Sequence, residues 1–277
     1  MVRSIAFIKL EGFYVAACGR QQSSLRSRPV VVVSEGNVLE ACARAKAEGV
    51  EAGAPVRQVW CLCPEAEVVS LNAEGCGSLY RQVWDIVAAQ SPVVEPADWH
   101  EGFADITVVA RDTHEAKEWR ERVSRQIQEQ TGLLPTIGIG PSKFVAQIAA
   151  ACRAVVGEEE AIEFLRPIAV TQRDWLEAGL VQALGNLGLI TLGQVAAVDR
   201  PLLVGQVGPA GGQLHDWIRG KDTRPVQPLY PPREEQTACT FDYEENPEVA
   251  AGAGGKPLSG KTKTGGRALR TPGSTST

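Results

Sequence analysis

The sequence predicts an α+β protein, with a mixed or antiparallel β-sheet, packed helices and then a segment that is helical throughout. Three observations predict it. Up to residue 157 the patterns run strand, long excursion, helix, hairpin, helix, strand, helix, an order that builds a sheet with helices packed on it. Two long segments carry apolar side chains at helical spacing, Leu79, Tyr80, Val83, Ile86 and Val87 in one and Ala116, Trp119, Val123 and Ile127 in the other. From Glu158 onward the patterns are short, helical and punctuated by glycine.

Taken in order, residues 5–14 begin as an apolar run and end in alternating charges, Lys9 and Glu11, followed by a glycine and two aromatics. That is the pattern of a buried strand delivering side chains to a site at its carboxyl end. Residues 29–33 read as a strand buried on both faces. Asn37 is expected to cap a helix that runs through Glu48 and stops at Gly49. Pro55 opens another short helix, residues 66–71 form a strand, and Asn72 caps the first long helix. Residues 93–95 and 103–109 read as a hairpin around Trp99-His100-Glu101-Gly102. Asp112 and Glu115 give a capping-box signal for the second long helix, which Gly132 ends. Residues 134–139 form a strand, and Gly140-Pro141-Ser142 turns it into a helix carrying Phe144, Val145, Ile148 and Ala149. Helices follow around 184–195 and 211–220.

Charge narrows the function classes. Net charge is −5, yet five of the 28 basic residues lie after Gly255, where there is no acid. The remainder holds 23 basic against 33 acidic residues, a poor balance for stand-alone nucleic-acid binding, which draws its affinity from neutralised phosphates. Beyond Ala250 the chain is Gly, Ser, Thr, Lys and Pro, a composition that cannot bury enough apolar surface to order itself. No apolar run reaches the about 18 residues of a membrane span, and no signal peptide is read at the start. Seven cysteines are scattered, with only Cys61 and Cys63 close, which is not a zinc spacing; reduced thiols of a cytoplasmic protein are expected.

Five segments, in order, resemble the Y-family (UmuC/DinB-type) translesion DNA polymerases, most closely their catalytically degenerate ImuB group. Residues 5–14 are similar to the strand that carries Asp-x-Asp and two aromatics, and residues 38–55 to the fingers segment with Ser-Tyr-Glu-Ala-Arg. Residues 98–107 resemble the Ser-Ile-Asp-Glu-Ala hairpin. Ile137-Gly138-Ile139 with Lys143, Ala146, Ile148 and Ala149 matches the Gly-Ile-x-x-x-Lys-x-x-Ala-x-Ile-Ala signature. Residues 187–195 and 214–226 resemble the thumb. The resemblance implies a palm (1–11 and 72–157), fingers (12–71), a helical thumb (158–228), and a linker and tail (229–277) where the family's little finger would begin near Arg233 but is absent.

The departures from the pattern fall on its chemistry. The metal-binding aspartates correspond to Lys9 and His100, with Glu11 and Glu101 as the remaining acids. At the nucleotide positions Tyr14 and Lys143 are kept, while the fingers Tyr and Arg correspond to Ala43 and Lys46. A lysine ammonium beside a divalent ion is repelled by roughly 8 kcal/mol at ~4 Å and an effective dielectric of ~20. The resemblance with these departures implies a non-catalytic accessory or scaffold of DNA repair and translesion synthesis that needs no metal cofactor, with Mg²⁺ belonging only to the alternative of an active polymerase with an atypical site. A Lys9–Glu101 ion pair is expected where the ion would sit. Expected partners are DNA, held weakly and salt-sensitively through Leu187, Gly188, Gly211 and Gly212 of the thumb hairpins, and an active translesion polymerase, sliding clamp or recombinase. Localisation is expected in the cytoplasm, on the nucleoid when engaged.

Overall fold

The computed structural model describes residues 3–20, 28–171 and 175–231. Element order is β1 (Ile5–Leu10), α1 (Phe13–Gly19), β2 (Val30–Ser34), β3 (Asn37–Ala41), α2 (Ala43–Ala47), α3 (Val56–Leu62), β4 (Glu67–Ser70), α4 (Ala73–Ala88), β5 (Val93–Pro96), β6 (Glu101–Asp105), α5 (Thr113–Thr131), β7 (Pro135–Gly140) and α6 (Lys143–Ala151). Five helices follow: α7 (Ala161–Leu165), α8 (Ala178–Asn186), α9 (Leu192–Ala197), α10 (Arg200–Val207) and α11 (Pro209–Ile218). The architecture is α+β as the sequence predicts. The expected linker and tail beyond Pro231 lie outside the described residues.

Four strands form an antiparallel sheet in the order β5-β6-β1-β7. Alternation along β1 sorts its side chains between two layers. Ala6, Ile8 and Leu10 enter the main core beside Trp84 of α4, Trp119 of α5 and Phe13 of α1. Ile5 and Phe7 face the other way, onto Ala146 and Ala150 of α6. A second sheet, ordered β3-β2-β4, is mixed: β3 pairs antiparallel and β4 parallel with β2. Its centre, β2, is buried on both faces, with Val30 and Val32 in the main core and Val31 in a small core with Val38, Ala45 and Val59.

Helix α6 serves two layers. Ala146 and Ala150 lie under the sheet, whereas Phe144, Val145, Ile148 and Ala149 join the core of α7 to α11 with Leu184, Leu203 and Ile218. The approach to the sheet depends on Gly138 and Gly140. A Cβ on Gly138 would stand 1.9 Å from the Ala150 amide nitrogen and 2.4 Å from the Ala146 carbonyl oxygen. After α11 the chain returns to the sheet, where Val94 of β5 bridges to Tyr230.

Three element boundaries differ from expectation. Residues 37–41 are strand β3, not the start of a helix: Glu35 and Gly36 have φ of 51° and 81°, a two-residue turn whose twist joins β2 to β3 as a hairpin. Only Ala43–Ala47 is then helical. The first strand stops at Leu10, because Gly12 adopts φ 75° and begins α1, so Tyr14 is a helical residue. The hairpin strand ends at Asp105, short of residue 109. The capping box at α5 is half formed. Asp112 accepts from the His114 and Glu115 amides, but the Glu115 carboxylate takes the Arg111 amide instead.

The returning segment is held by Asp222. Its fully buried carboxylate accepts the Phe144 amide at 2.9 Å and the Arg224 guanidinium at 2.8 and 2.9 Å, and Arg224 stacks on Trp217. Burial alone raises an acid; here Arg224 and the Phe144 amide outweigh it and hold Asp222 below the usual carboxylate range. A depressed folded pKa gives stability that is complete above the unfolded value of about 4 and lost as pH falls through the folded value. Urea midpoints are therefore expected to drop on acidification below about pH 4, and Asp222→Asn to flatten part of that limb. Fluorescence-monitored urea titrations across the acid range check it.

Candidate functional site

The site is built at the carboxyl end of β1, on the face that looks toward α6. Register places Lys9 opposite Glu101 on β6 and opposite Thr136 on β7. Lys9, Glu11, Glu101, Phe7 and Thr136 line one cavity of ≈ 390 Å³, closed by Gln147 of α6, Arg153 and Trp175. The two segments that carry Lys9-Leu10-Glu11 and His100-Glu101, ninety or so residues apart in the chain, thus meet. The Leu10 amide also donates to the His100 carbonyl at 2.7 Å.

His100 sits between carboxylates. Its Nδ1 is 3.7 Å from Asp98 Oδ2, its Nε2 is 3.9 Å from Glu101 Oε2, and the Tyr14 hydroxyl faces Nδ1 at 3.4 Å. Burial pushes the Tyr14 phenol well up, and the Asp98, Glu40 and Glu101 charges add to this, so it stays protonated. Tyr14 stacks at an angle on the His100 ring, with centroids 5.6 Å apart.

A second cavity of ≈ 800 Å³ adjoins, sharing Glu11, Thr136 and Arg153 with the first. Ala43 and Lys46 of α2 line it, as do Arg120 and an apolar wall of Val15, Leu133 and Ile137. Three cations against one carboxylate, Glu11, make this groove suited to an anion with an apolar body. Glu40 accepts the Gly12 and Val15 amides at 2.9 and 3.0 Å and so fixes β3 to the start of α1. Arg153, with φ 51°, is a residue that sequence reasoning did not single out. It follows the apolar helix α6 with no local motif, and only the fold brings it beside Glu11.

The remaining positions lie elsewhere. Lys143 is neither a solvated lysine nor a lining residue of either cavity. It is buried, with Nζ 2.6 Å from both Glu95 carboxylate oxygens and over the Phe103 ring at 4.8 Å. Leu187 caps the end of α8, exposed, and Gly188 follows with φ 72°. Gly211 and Gly212 are buried in α11 against α10, where added Cβ atoms would stand 2.1 Å from Val207 Cγ2 and 2.5 Å from Val204 Cγ2. Among the described residues no helix is long and apolar enough to cross a membrane.

Comparison with known proteins places this geometry. The family described as impB/mucB/samB matches residues 8–151. DNA polymerase IV of Caulobacter vibrioides is 30% identical over 234 residues, covering 81% of this chain and 58% of that protein. DNA polymerase IV of Brucella melitensis biotype 1 is 28% identical over 250 residues, covering 87% of this chain and 56% of that protein. The chain thus spans little more than half the length of these relatives. Among solved structures, a Dbh ternary complex superposes with a TM-score of 0.74 at 20% identity, covering 81% of this chain and 69% of that one. DinB from Sulfolobus solfataricus gives 0.73 at 21% identity, with the same coverage. These structures share the fold.

The comparisons correct one expectation. A chain that needs no metal cofactor does not follow from these relatives, which are DNA polymerase IV enzymes of a family that normally uses Mg²⁺. Mg²⁺ is the family's cofactor. The residues here fit it poorly: the Lys9 ammonium lies opposite Glu101 in the cavity that Glu11 also lines, and Mg²⁺ prefers oxygen ligands. With the family matched over more than half of its residues and its fold shared with solved polymerases, this chain belongs to the impB/mucB/samB family, the Y-family of DNA polymerases.

Proposed function

We propose that this chain acts in DNA repair and translesion synthesis as a Y-family homologue whose own nucleotidyl transfer is lost, an accessory that engages DNA beside an active polymerase. The supporting observation is the register of Lys9 opposite Glu101, which sets a fixed positive charge among the carboxylates that remain. In this reading residues 1–11 and 72–157 are the palm, 12–71 the fingers and 158–228 the thumb. The groove with Lys46, Arg120 and Arg153 takes a nucleotide or a strand phosphate, and Lys9 pairs with Glu101. Lys143, buried on Glu95, supports the framework of the site from behind. DNA binding is weak and salt-sensitive, as the acidic balance requires, and the partner is an active translesion polymerase, clamp or recombinase.

A second reading, an active polymerase with an atypical site, is favoured by one observation: Glu11 and Glu101 line the same cavity, and the relatives carry polymerase names. Primer extension with Mg²⁺ and with Mn²⁺ separates the two. The expected result is incorporation at background for the unmutated chain and a gain on the paired change Lys9→Asp and His100→Asp. Templated incorporation by the unmutated chain that Glu101→Gln abolishes would establish the second reading instead.

A further inference from the structure

The segment that returns from the helical part ends in contacts that lead to the site. The Leu229 and Tyr230 amides both donate to the Val94 carbonyl at 3.1 Å, along the free edge of β5. The Gln227 amide donates to the Glu95 carboxylate that holds Lys143. Leu229 points out and is exposed, whereas Tyr230 is buried, the alternation of an added strand.

Tyr230 then reaches past β5. Its hydroxyl lies 2.6 Å from Asp85 Oδ1 and 3.3 Å from the Arg81 carbonyl, both on α4. Burial and the Asp85 carboxylate push this phenol up, so the hydroxyl remains a donor. Its ring meets Tyr80 edge-on with centroids 6.0 Å apart, and Tyr80 meets Trp99 edge-on at 5.6 Å. Trp99 precedes His100 in the turn between β5 and β6, which is otherwise closed by the Ala97 and Asp98 amides donating to the Glu101 carbonyl. Edge-to-face rings of this kind carry preferred geometry as well as buried area. One residue therefore braces the turn twice, through its backbone amide on the edge of β5 and through its ring in the aromatic stack.

We propose that Tyr230 is a positioning residue for the Asp98–Glu101 turn, so that the order of the candidate site depends on the segment 227–230 staying on β5. The inference deepens the functional reading by naming a means of regulation at the same site. Displacing residues 227–230 from β5 releases Trp99, and with it His100 and Glu101. Amide exchange reports on the turn whether or not the site does chemistry, so loss of the polymerase-homologue reading would leave the result standing.

Hydrogen exchange on the full chain tests it. In Tyr230→Leu, amides 97–101 are expected to exchange at least about tenfold faster while those of α5 and β7 keep their protection. Tyr230→Phe, which keeps the ring, should restore most of that protection. The His100 ring signals in NMR spectra should shift in Tyr230→Leu and return in Tyr230→Phe. Asp85→Ala, at an exposed position, removes the shorter of the two hydroxyl contacts without removing a ring of the stack and should speed the same amides by a smaller factor. It decides the matter if Tyr230→Leu does not fold. Unchanged exchange at 97–101, or acceleration spread evenly over the whole chain, would overturn the proposal.

Discussion

Gly138→Ala is expected to remove about 3 kcal/mol or more of stability, a large part of the margin of an ordinary domain. The new Cβ would meet main chain, the Ala150 nitrogen at 1.9 Å and the Ala146 oxygen at 2.4 Å, and no rotamer change relieves that. Helix α6 has to move off the sheet, opening the layer that holds Phe7, Phe103 and Ala146. Urea denaturation followed by circular dichroism measures the loss. Gly185→Ala is the control: this glycine lies in α8 with nothing within 4 Å of an added Cβ, so the exchange should stabilise by about 0.5–1 kcal/mol. Opposite signs for one chemical change would tie the effect to the approach of α6.

Lys143→Met should cost about 3–5 kcal/mol, because it leaves Glu95 charged in a poorly solvated place. The lysine and glutamate side chains are 8% and 15% exposed, and the ammonium is shared between both carboxylate oxygens at 2.6 Å. Glu95 also accepts the Gln227 amide, so the returning segment loosens with it. Adding Glu95→Gln to Lys143→Met should recover part of the loss, since the uncompensated charge is then gone. A double-mutant cycle in urea measures the coupling; strict additivity would show that the two side chains do not act as a pair.

Much of the architecture was legible in local chemistry. The apolar faces of α4 and α5 read at helical spacing, Asn72 and Asp112 announce their starts, and both accept first-turn amides. The meeting of Lys9 with Glu101 was legible only through the resemblance, which sets the first strand beside the hairpin, and the register of β1 with β6 brings the two residues opposite each other. What could not be read was set by backbone conformation or by distance along the chain. Residues 37–41 became a strand because Glu35-Gly36 takes a positive-φ turn, a signal outweighed by the alanine-rich helix pattern that follows. Lys143 stood at a nucleotide position by resemblance, and its partner could not be read because Glu95 lies 48 residues away on β5. Arg153 and Glu40 stand in no motif. Their places beside Glu11 and at the start of α1 come from the packing of α6 and of β3.

Helix α6 has one more consequence, for how the molecule comes apart. Phe144, Ile148 and Ala149 are sealed by the helical elements after it, and Ala146 and Ala150 by the sheet before it. Stripping α7 to α11 away would uncover half of a helix that the sheet still needs, so neither part can melt and leave the other whole. Heat or denaturant meets one cooperative body there. Partial opening is left to α2 and α3, whose small core of Val31, Val38, Ala45 and Val59 is its own. The wall of the groove that carries Ala43 and Lys46 is thus the part free to breathe, while the strand that carries Lys9 is clamped from both sides.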